Sequence, residues 1–293
     1  MVKLDIKPGT YVVAVSGGVD SMVLLDLLTK LPKLKLIVAH YDHGMRSDSE
    51  QDRQLVQKTA ERHGLPFVYD YGHLGVGTSE AVARTARYKF LQKVKKAAGA
   101  SAIITAHHQD DVLETAIINL LRGTNRHGLS SLQNQPDILR PLLRISKADL
   151  LKYAHDNKIT WREDSTNADE AYLRNYVRLS LVPKLTTAKK TELLAHIDKL
   201  GELNKDIDNL INSQLKNQTE IDRQWFIMLG HNVARDVMAT WLKNHGAREV
   251  DKKQLELLVQ AAKTYSPNRQ TDIDKQYTML VSKDKLALID RER

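Results

Sequence analysis

Two spacings of apolar residues alternate along the first part of the chain. Residues 11–15, Tyr-Val-Val-Ala-Val, are a short unbroken run of mostly strand-forming side chains, the pattern of a strand buried on both faces. After Ser16, Gly17 and Gly18 the period changes, and Met22, Leu24, Leu25, Leu27 and Leu28 recur at helical spacing. Residues 34–40 form a second apolar run, so strand, helix and strand follow in the order of a parallel βαβ unit. The alternation continues with a helix over 48–63, a strand over 67–71 and a glycine-rich loop over 72–77. A helix capped by Thr78 or Ser79 then runs to about Ala98 on a stripe of Ala83, Ala86, Phe90, Val94 and Ala97. A strand over 102–106 and a helix stopped by Gly123 follow. Residues 138–143 return to extended chain, Ser146 caps a helix over 147–157, and 172–178 is helical before Pro183. The pattern predicts an α/β fold built on a parallel sheet.

From about Thr186 the composition changes. Leu193, Leu194, Ile197, Leu200, Leu203, Ile207, Leu210 and Ile211 define one long amphipathic helix. Helices over 222–244 and 251–263 follow, and Tyr277, Met279 and Val281 alternate before a turn at Lys283-Asp284 and an extended run to Ile289, a terminal hairpin. The expected organisation is a catalytic domain over 1–185 and a mainly helical domain over 186–293 that ends in the hairpin.

Charge and cysteine usage narrow the function. Lys and Arg number 44 against 36 Asp and Glu in 293 residues, a net charge of +8 that suits a polyanionic partner and also an ordinary basic enzyme. There is no cysteine, which removes disulfides, thiolate catalysis, cysteine-ligated zinc and iron–sulfur clusters within these residues. No apolar run reaches membrane-spanning length and no secretory segment opens the chain, so the expected location is the cytoplasm.

The candidate chemistry lies at the ends of two predicted strands, where open α/β sheets bind ligands. Ser16-Gly-Gly-Val-Asp-Ser21 joins the first strand to its helix. Its glycines let backbone approach a ligand, and the helix start offers unpaired N–H groups and a positive dipole end to a phosphate-like anion. No lysine follows the glycines, unlike the common phosphate loop. Asp20 stands there instead, either holding magnesium or capping the helix. His107-His-Gln-Asp-Asp111-Val-Leu-Glu114 follows the strand over 102–106. Its His107, Asp110, Asp111 and Glu114 admit three roles: part of the same nucleotide site, a structural histidine with a helix cap, or a separate zinc site. Arg84 and Arg87 lie off and beside the apolar stripe of their helix, as a solvated face or as a track for nucleic-acid phosphates. Arg174 and Arg178 share a helix face, either pairing with Glu163 and Asp164 or binding phosphate.

Ser16-Gly-Gly-Val-Asp-Ser21 resembles the pyrophosphate-loop signature of the ATP pyrophosphatase superfamily. In order along the chain, His40-Tyr-Asp-His43-Gly-Met-Arg46, Thr105 to Thr115, Asn119-Leu-Leu-Arg-Gly123, Arg140-Pro-Leu-Leu143, Trp161-Arg-Glu-Asp164 and Arg174-Asn-Tyr-Val-Arg178 resemble the tRNA(Ile)-lysidine synthetase family. The departures are Met45 where that family has Leu and Val112 where it has Gln, and longer relatives carry a further C-terminal domain. The resemblance implies an adenine-nucleotide α-hydrolase-like (Rossmann-like) catalytic domain that uses ATP and Mg2+. It implies adenylation of C2 of the first anticodon cytidine in an isoleucine tRNA with a CAU anticodon, followed by attack of free L-lysine. By the same resemblance Ser16, Gly17, Gly18, Val19, Asp20 and Ser21 bind ATP, and Asp20, His107, Asp111 and Glu114 are catalytic. Asp20 and Asp111 hold the metal, while Arg84, Arg87, Arg174 and Arg178 contact tRNA. Competing expectations are a tRNA thiolase, which the missing cysteines oppose, an ammonia-using small-molecule synthetase, and a non-catalytic nucleotide- or tRNA-binding module.

Overall fold

The computed structural model describes residues 4–44, 49–72, 75, 78–163, 173–216, 218–247 and 250–291. Met45 and Arg46, most of the glycine-rich loop over 73–77, the turn over 164–167 and Tyr172 lie outside the described residues. By internal contacts the chain divides into two compact units, Met1–Gly201 and Glu202–Arg293.

The first unit is a doubly wound α/β layer. Strands β1 (Gly9–Ala14), β2 (Leu34–Asp42), β3 (Phe67–Tyr71), β4 (Ala102–Ile104) and β5 (Ile138–Leu139) form one sheet in the order β3-β2-β1-β4-β5, with every pairing parallel. Helices α1 (Val19–Thr29), α2 (Ser49–Arg62), α3 (Glu80–Ala97) and α4 (Gln109–Leu121) connect them. Val12, Val13, Ile103 and Ile104 are fully buried, as the unbroken apolar runs require of strands covered on both faces. α1 is buried nearly all round, and α6 (Lys147–Asp156) packs against it, bringing Leu150 and Ala154 into the same core. Strand order reverses between β1 and β4, since β2 and β3 lie to one side of β1 and β4 and β5 to the other. This is the place where an open α/β sheet splays to admit a ligand.

Three elements of this unit depart from the expected pattern. The extended stretch over 138–143 pairs only at Ile138 and Leu139, because Arg140 and Pro141 turn the chain out of the ladder. The short helix α5 (Arg126–Leu129) occupies what reads as a polar loop. The helix expected over 172–178 is an α-turn, α7 (Leu173–Tyr176), continued by a wider π-turn over Val177–Leu181 and a 3₁₀ turn, Val182–Lys184, that accommodates Pro183.

α8 (Thr187–Leu215) is the long amphipathic helix. Its first half belongs to the first unit: Leu194 and Ile197 pack against Leu113, Ile118 and Val177, and Arg144 pairs with Asp198 at 2.9 Å. The boundary between the two compact units, Gly201/Glu202, lies within α8.

The second unit contains the remainder of α8, α9 (Arg223–Met228), α10 (His231–Asn244), α11 (Lys252–Thr264) and a four-stranded antiparallel sheet. The hairpin of β8 (Tyr277–Val281) and β9 (Lys285–Asp290) forms as patterned, but β6 (Glu220–Asp222) and β7 (Arg269–Asp272) flank it in the order β6-β9-β8-β7. Glu-Ile-Asp and Arg-Gln-Thr-Asp carry too few apolar residues to announce edge strands. The expected single helix over 222–244 breaks at Leu229 and Gly230, where Gly230 takes the N-cap position of α10. Phe226, Trp241 and Met279 are fully enclosed in the core of this unit. Buried Arg223 donates to the carbonyls of Ala262, Tyr265 and Ser282, fastening the end of α11 to the turn after β8. No helix among the described residues is long and apolar enough to cross a membrane.

Replacing Phe226 by Ala should remove a wholly buried ring and destabilise the second unit by about 3–5 kcal/mol. Urea unfolding followed by circular dichroism measures this, and a change under about 1 kcal/mol would show that the ring does not fill the core.

Candidate active site

Geometry at the end of β1 begins with Gly17, whose φ of +96° lies where side-chain-bearing residues are strained. A Cβ at Gly17 would also stand 3.3 Å from Cβ of Asp52. The turn is held from inside by its own serines. Ser21 Oγ donates to the Gly18 carbonyl at 2.9 Å and accepts from Ser16 N–H at 3.1 Å, with Ser16 Oγ 3.2 Å away. From outside, Arg162 N–H donates to the Gly17 carbonyl at 3.1 Å, and Arg162 Nε donates to buried Asp52 at 2.8 Å. Gly18 is the N-cap of α1, and no side chain caps that helix end, which suits its first-turn N–H groups to an anion. Asp20 is therefore not the cap. It lies in the first turn, and its carboxylate accepts from Lys147 Nζ at 2.7 and 2.8 Å.

At the end of β4 the roles of adjacent residues separate. His108, not either aspartate, is the N-cap of α4: its Nδ1 accepts from Asp110 N–H at 3.2 Å. Asp111 completes a capping box by accepting from His108 N–H at 2.8 Å. With Nδ1 acting as acceptor, the ring proton belongs on Nε2, which stands 3.6 Å from Asp20 and 3.6 Å from Asp111. His108 thus bridges one carboxylate from each motif. Asp110 turns aside to Lys190, 3.3 Å away. Glu114, almost wholly buried, receives Nε and an NH2 nitrogen of Arg178, both at 2.9 Å, and the same guanidinium reaches Asp111 at 3.3 Å.

The guanidinium of Arg178 is engaged by Glu114 and Asp111 within the site itself. Those acids, rather than Glu163, are its partners, and Asp164 lies outside the described residues. The π-turn at Val177–Leu181 contains Arg178, the kind of local widening that recurs at functional sites.

His107 has different company. Its Nδ1 is 2.8 Å from Thr105 Oγ1. Burial, with the fields of Arg140, Arg87, Arg84 and Arg174, lowers its pKa to about 2. A ring so firmly neutral is suited to hydrogen bonding and not to carrying protons near neutrality. Arg84 and Arg87 lie 5.0 and 5.5 Å from the centre of the Tyr88 ring. Arg140, buried, anchors on the Gln133 carbonyl through its guanidinium. The expected tRNA contacts Arg84, Arg87 and Arg174 therefore gather around His107, together with Arg140, which the sequence placed in a resembling motif without a role.

Electrostatics divide the carboxylates. Burial pushes Asp20 up, but hydrogen bonding to His108 and the charges of His108 and Lys147 outweigh it and hold the group below its ordinary value. Glu114 moves the other way: burial raises its pKa despite Arg178. Burial opposes a charge on His108, yet the Asp20 hydrogen bond and the two aspartates raise its pKa.

Among the described residues no group of three or more His, Asp and Glu side chains stands together as a metal cage. Asp20 and Asp111 supply hard oxygens from two sides of His108, which suits a small cation that keeps waters and takes the rest of its shell from phosphates. Two residues central to the arrangement, His108 and Lys147, were not singled out by the sequence. His108 directly precedes the acid cluster, and its place at the helix start was the available signal.

Replacing Arg178 by Met should leave Glu114 buried without its counter-charge and cost about 3–5 kcal/mol of stability at neutral pH. Adding Glu114→Gln to that variant should recover most of the loss. Chemical denaturation of the two variants measures both, and equal instability of single and double variants would show that the ion pair is not the cause.

A PP-loop domain family model matches residues 3–185. The chain is 38% identical over 190 residues to the tRNA(Ile)-lysidine synthase of Solibacter usitatus, an alignment covering 63% of this chain and 43% of that protein. It is 42% identical over 180 residues to the enzyme of the same name from Thermus thermophilus, covering 59% and 35%. A 28% identical alignment with the Francisella tularensis tRNA(Ile)-lysidine synthase covers 96% of this chain and 74% of that one. The chain spans about half or less of the length of the first of these relatives. Among solved structures, the U34-tRNA thiolase NcsA from Methanococcus maripaludis with its [4Fe-4S] cluster shares the fold, with TM-score 0.56 and 18% identity over 67% of this chain and 74% of that one. Since the family model takes in more than half of the sequence, the glycine turn with its flanking serines included, the chain belongs to the PP-loop domain family.

Proposed function

We propose that the chain carries out the ATP-dependent ligation of free L-lysine to C2 of the first anticodon cytidine in an isoleucine tRNA with a CAU anticodon. The observation that carries this reading is the meeting of Asp20 and Asp111 across His108 at the mouth of the glycine turn. The names of the similar relatives, tRNA(Ile)-lysidine synthase, support the choice of substrates. In this reading residues 1–185 are the catalytic domain, 186–293 a second domain, and the enzyme works in the cytoplasm.

The reaction has two halves. In the first, the C2 oxygen of cytidine attacks the α-phosphate of ATP, an O–P bond forms, and the bond to the β-phosphate breaks with release of pyrophosphate. Ser16, Gly17, Gly18, Val19, Asp20 and Ser21 hold the departing pyrophosphate, through the free N–H groups at the start of α1 and the hydroxyls of Ser16 and Ser21. Asp20 and Asp111 would hold Mg2+, which neutralises charge on the phosphates. In the second half, the ε-amine of lysine attacks C2, a C–N bond forms, and the C–O bond breaks so that AMP leaves with that oxygen. Lysine arrives as an ammonium and must lose a proton to become a nucleophile. A carboxylate of the acid cluster accepts that proton, and Glu114, whose pKa burial raises, stands behind it in its ion pair with Arg178. His107 stays neutral and contacts the nucleotide or RNA by hydrogen bonding. Arg84, Arg87 and Arg174 face tRNA phosphate. A thiolase reading is disfavoured because these 293 residues contain no cysteine to carry sulfur or ligate a cluster.

Incubation with ATP, radiolabelled lysine and isoleucine tRNA bearing CAU should place label in the RNA with one AMP formed per lysine incorporated. AMP formation from a small-molecule acceptor with no labelled RNA would replace this reading by that of a small-molecule synthetase. Arg84→Ala should weaken tRNA binding and reduce the dependence of log K on log salt by about one ion. Filter binding across a salt series measures the slope, and an unchanged slope would place Arg84 outside the RNA interface.

A further inference from the structure

The glycine turn lacks the lysine that phosphate loops of the common type carry within their own sequence, yet an ammonium reaches it from 127 residues further along the chain. Lys147 Nζ lies 2.7 Å from one oxygen of Asp20 and 2.8 Å from the other, a symmetric contact with both lone-pair edges of the carboxylate. The partners are about one-third exposed, at 35% and 28% of their side-chain surface, so solvent and ligands can reach them. Lys147 is the first residue of α6, whose cap is Ser146, with Asp149 in its first turn. An ammonium in the first turn of a helix opposes the helix dipole, so helix stability does not explain its presence there. Asp20 does explain it. The Asp20 and Asp111 carboxylates both stand 3.6 Å from the one ring nitrogen His108 Nε2, and without a nearby cation these acids would repel one another.

We propose that Lys147 is the counter-ion exchanged in the nucleotide site: it neutralises Asp20 while no nucleotide is bound and moves to the oxygens of the pyrophosphate group when a divalent cation takes its place on Asp20. One ammonium thereby performs two tasks. It keeps the cation position closed to free metal, because a divalent ion entering alone would have to displace a close ion pair and meet an adjacent positive charge. It also supplies, from α6, the phosphate contact that the glycine turn does not contain. The inference rests on the assignment of Asp20 to the metal, and it concerns ATP handling alone, independently of which acceptor is modified.

Binding of Mn2+ to the nucleotide-free protein, followed by electron paramagnetic resonance, and binding of inorganic pyrophosphate with Mg2+, followed by calorimetry, test it together. Lys147→Gln should bind Mn2+ about tenfold more tightly or better, and pyrophosphate about tenfold more weakly, each a shift of about 1.4 kcal/mol. Adding Asp20→Asn should abolish the gained Mn2+ affinity. Changes of opposite sign separate exchange from a structural role, since a distorted site would lose both ligands. Unchanged Mn2+ affinity in Lys147→Gln, weakening of both ligands, or a gain that survives Asp20→Asn would each overturn the proposal. Failure of lysine to label tRNA would leave it standing, because neither measurement involves lysine or RNA.

Discussion

The site depends on one backbone constraint, the parallel pairing of β1 with β4. Tyr11, Val12 and Val13 align with Ala102, Ile103 and Ile104, so the two strands end side by side at the point where strand order reverses. Segments about ninety residues apart in sequence leave the sheet a few ångströms from one another. Neither glycines nor acids could meet otherwise. Helix packing on both faces makes that pairing firm, since Val12, Val13, Ile103 and Ile104 have no exposed surface to lose.

A second constraint is charge. Three acids, Asp20, Asp111 and Glu114, are drawn into one small volume, where Lys147 comes from the start of α6 and Arg178 from the π-turn, while His108, the cap of α4 itself, stands between the aspartates. Desolvated carboxylates at such spacing would otherwise be driven toward protonation. The partners differ in how readily they let go. Arg178 grips Glu114 through two nitrogens and serves as a fixed support, whereas Lys147 holds Asp20 as a mobile point charge on a flexible stem. The acids that must stay in place and the acid that must change partners are thus distinguished by the type of base facing them.

Behind this cluster, Arg162 and Asp52 keep the glycine turn in its unusual conformation. Arg162 meets the turn through its backbone N–H and Asp52 through its guanidinium, and Asp52 in turn closes the space above Gly17. Only glycine satisfies both the left-handed backbone and the close approach of α2. The neutral His107 among arginines is a separate environment next to the acids, so the region presents one anion-neutralising and one cation-binding face.

Much of the first unit was legible in the sequence, because a buried parallel strand and the helix after it announce themselves by period and by glycine stops. The strand end at Tyr71 and the cap at Ser146 follow from local chemistry that the chain carries everywhere it goes, whereas β1 and β4 stop at Ala14 and Ile104, short of the apolar runs to 15 and 106. The edge strands β6 and β7 were not legible, since three or four polar residues become strands only when a neighbouring hairpin offers its edge. The sequence by itself determined that Ser16 to Ser21 is a phosphate-type turn and that acids cluster after β4. Only tertiary structure decided which histidine faces the acids, that Arg178 belongs to Glu114, and that Lys147 meets Asp20. These are contacts between residues whose separation along the chain carries no periodic signal, fixed by the order of strands in the sheet and by the helix laid against it.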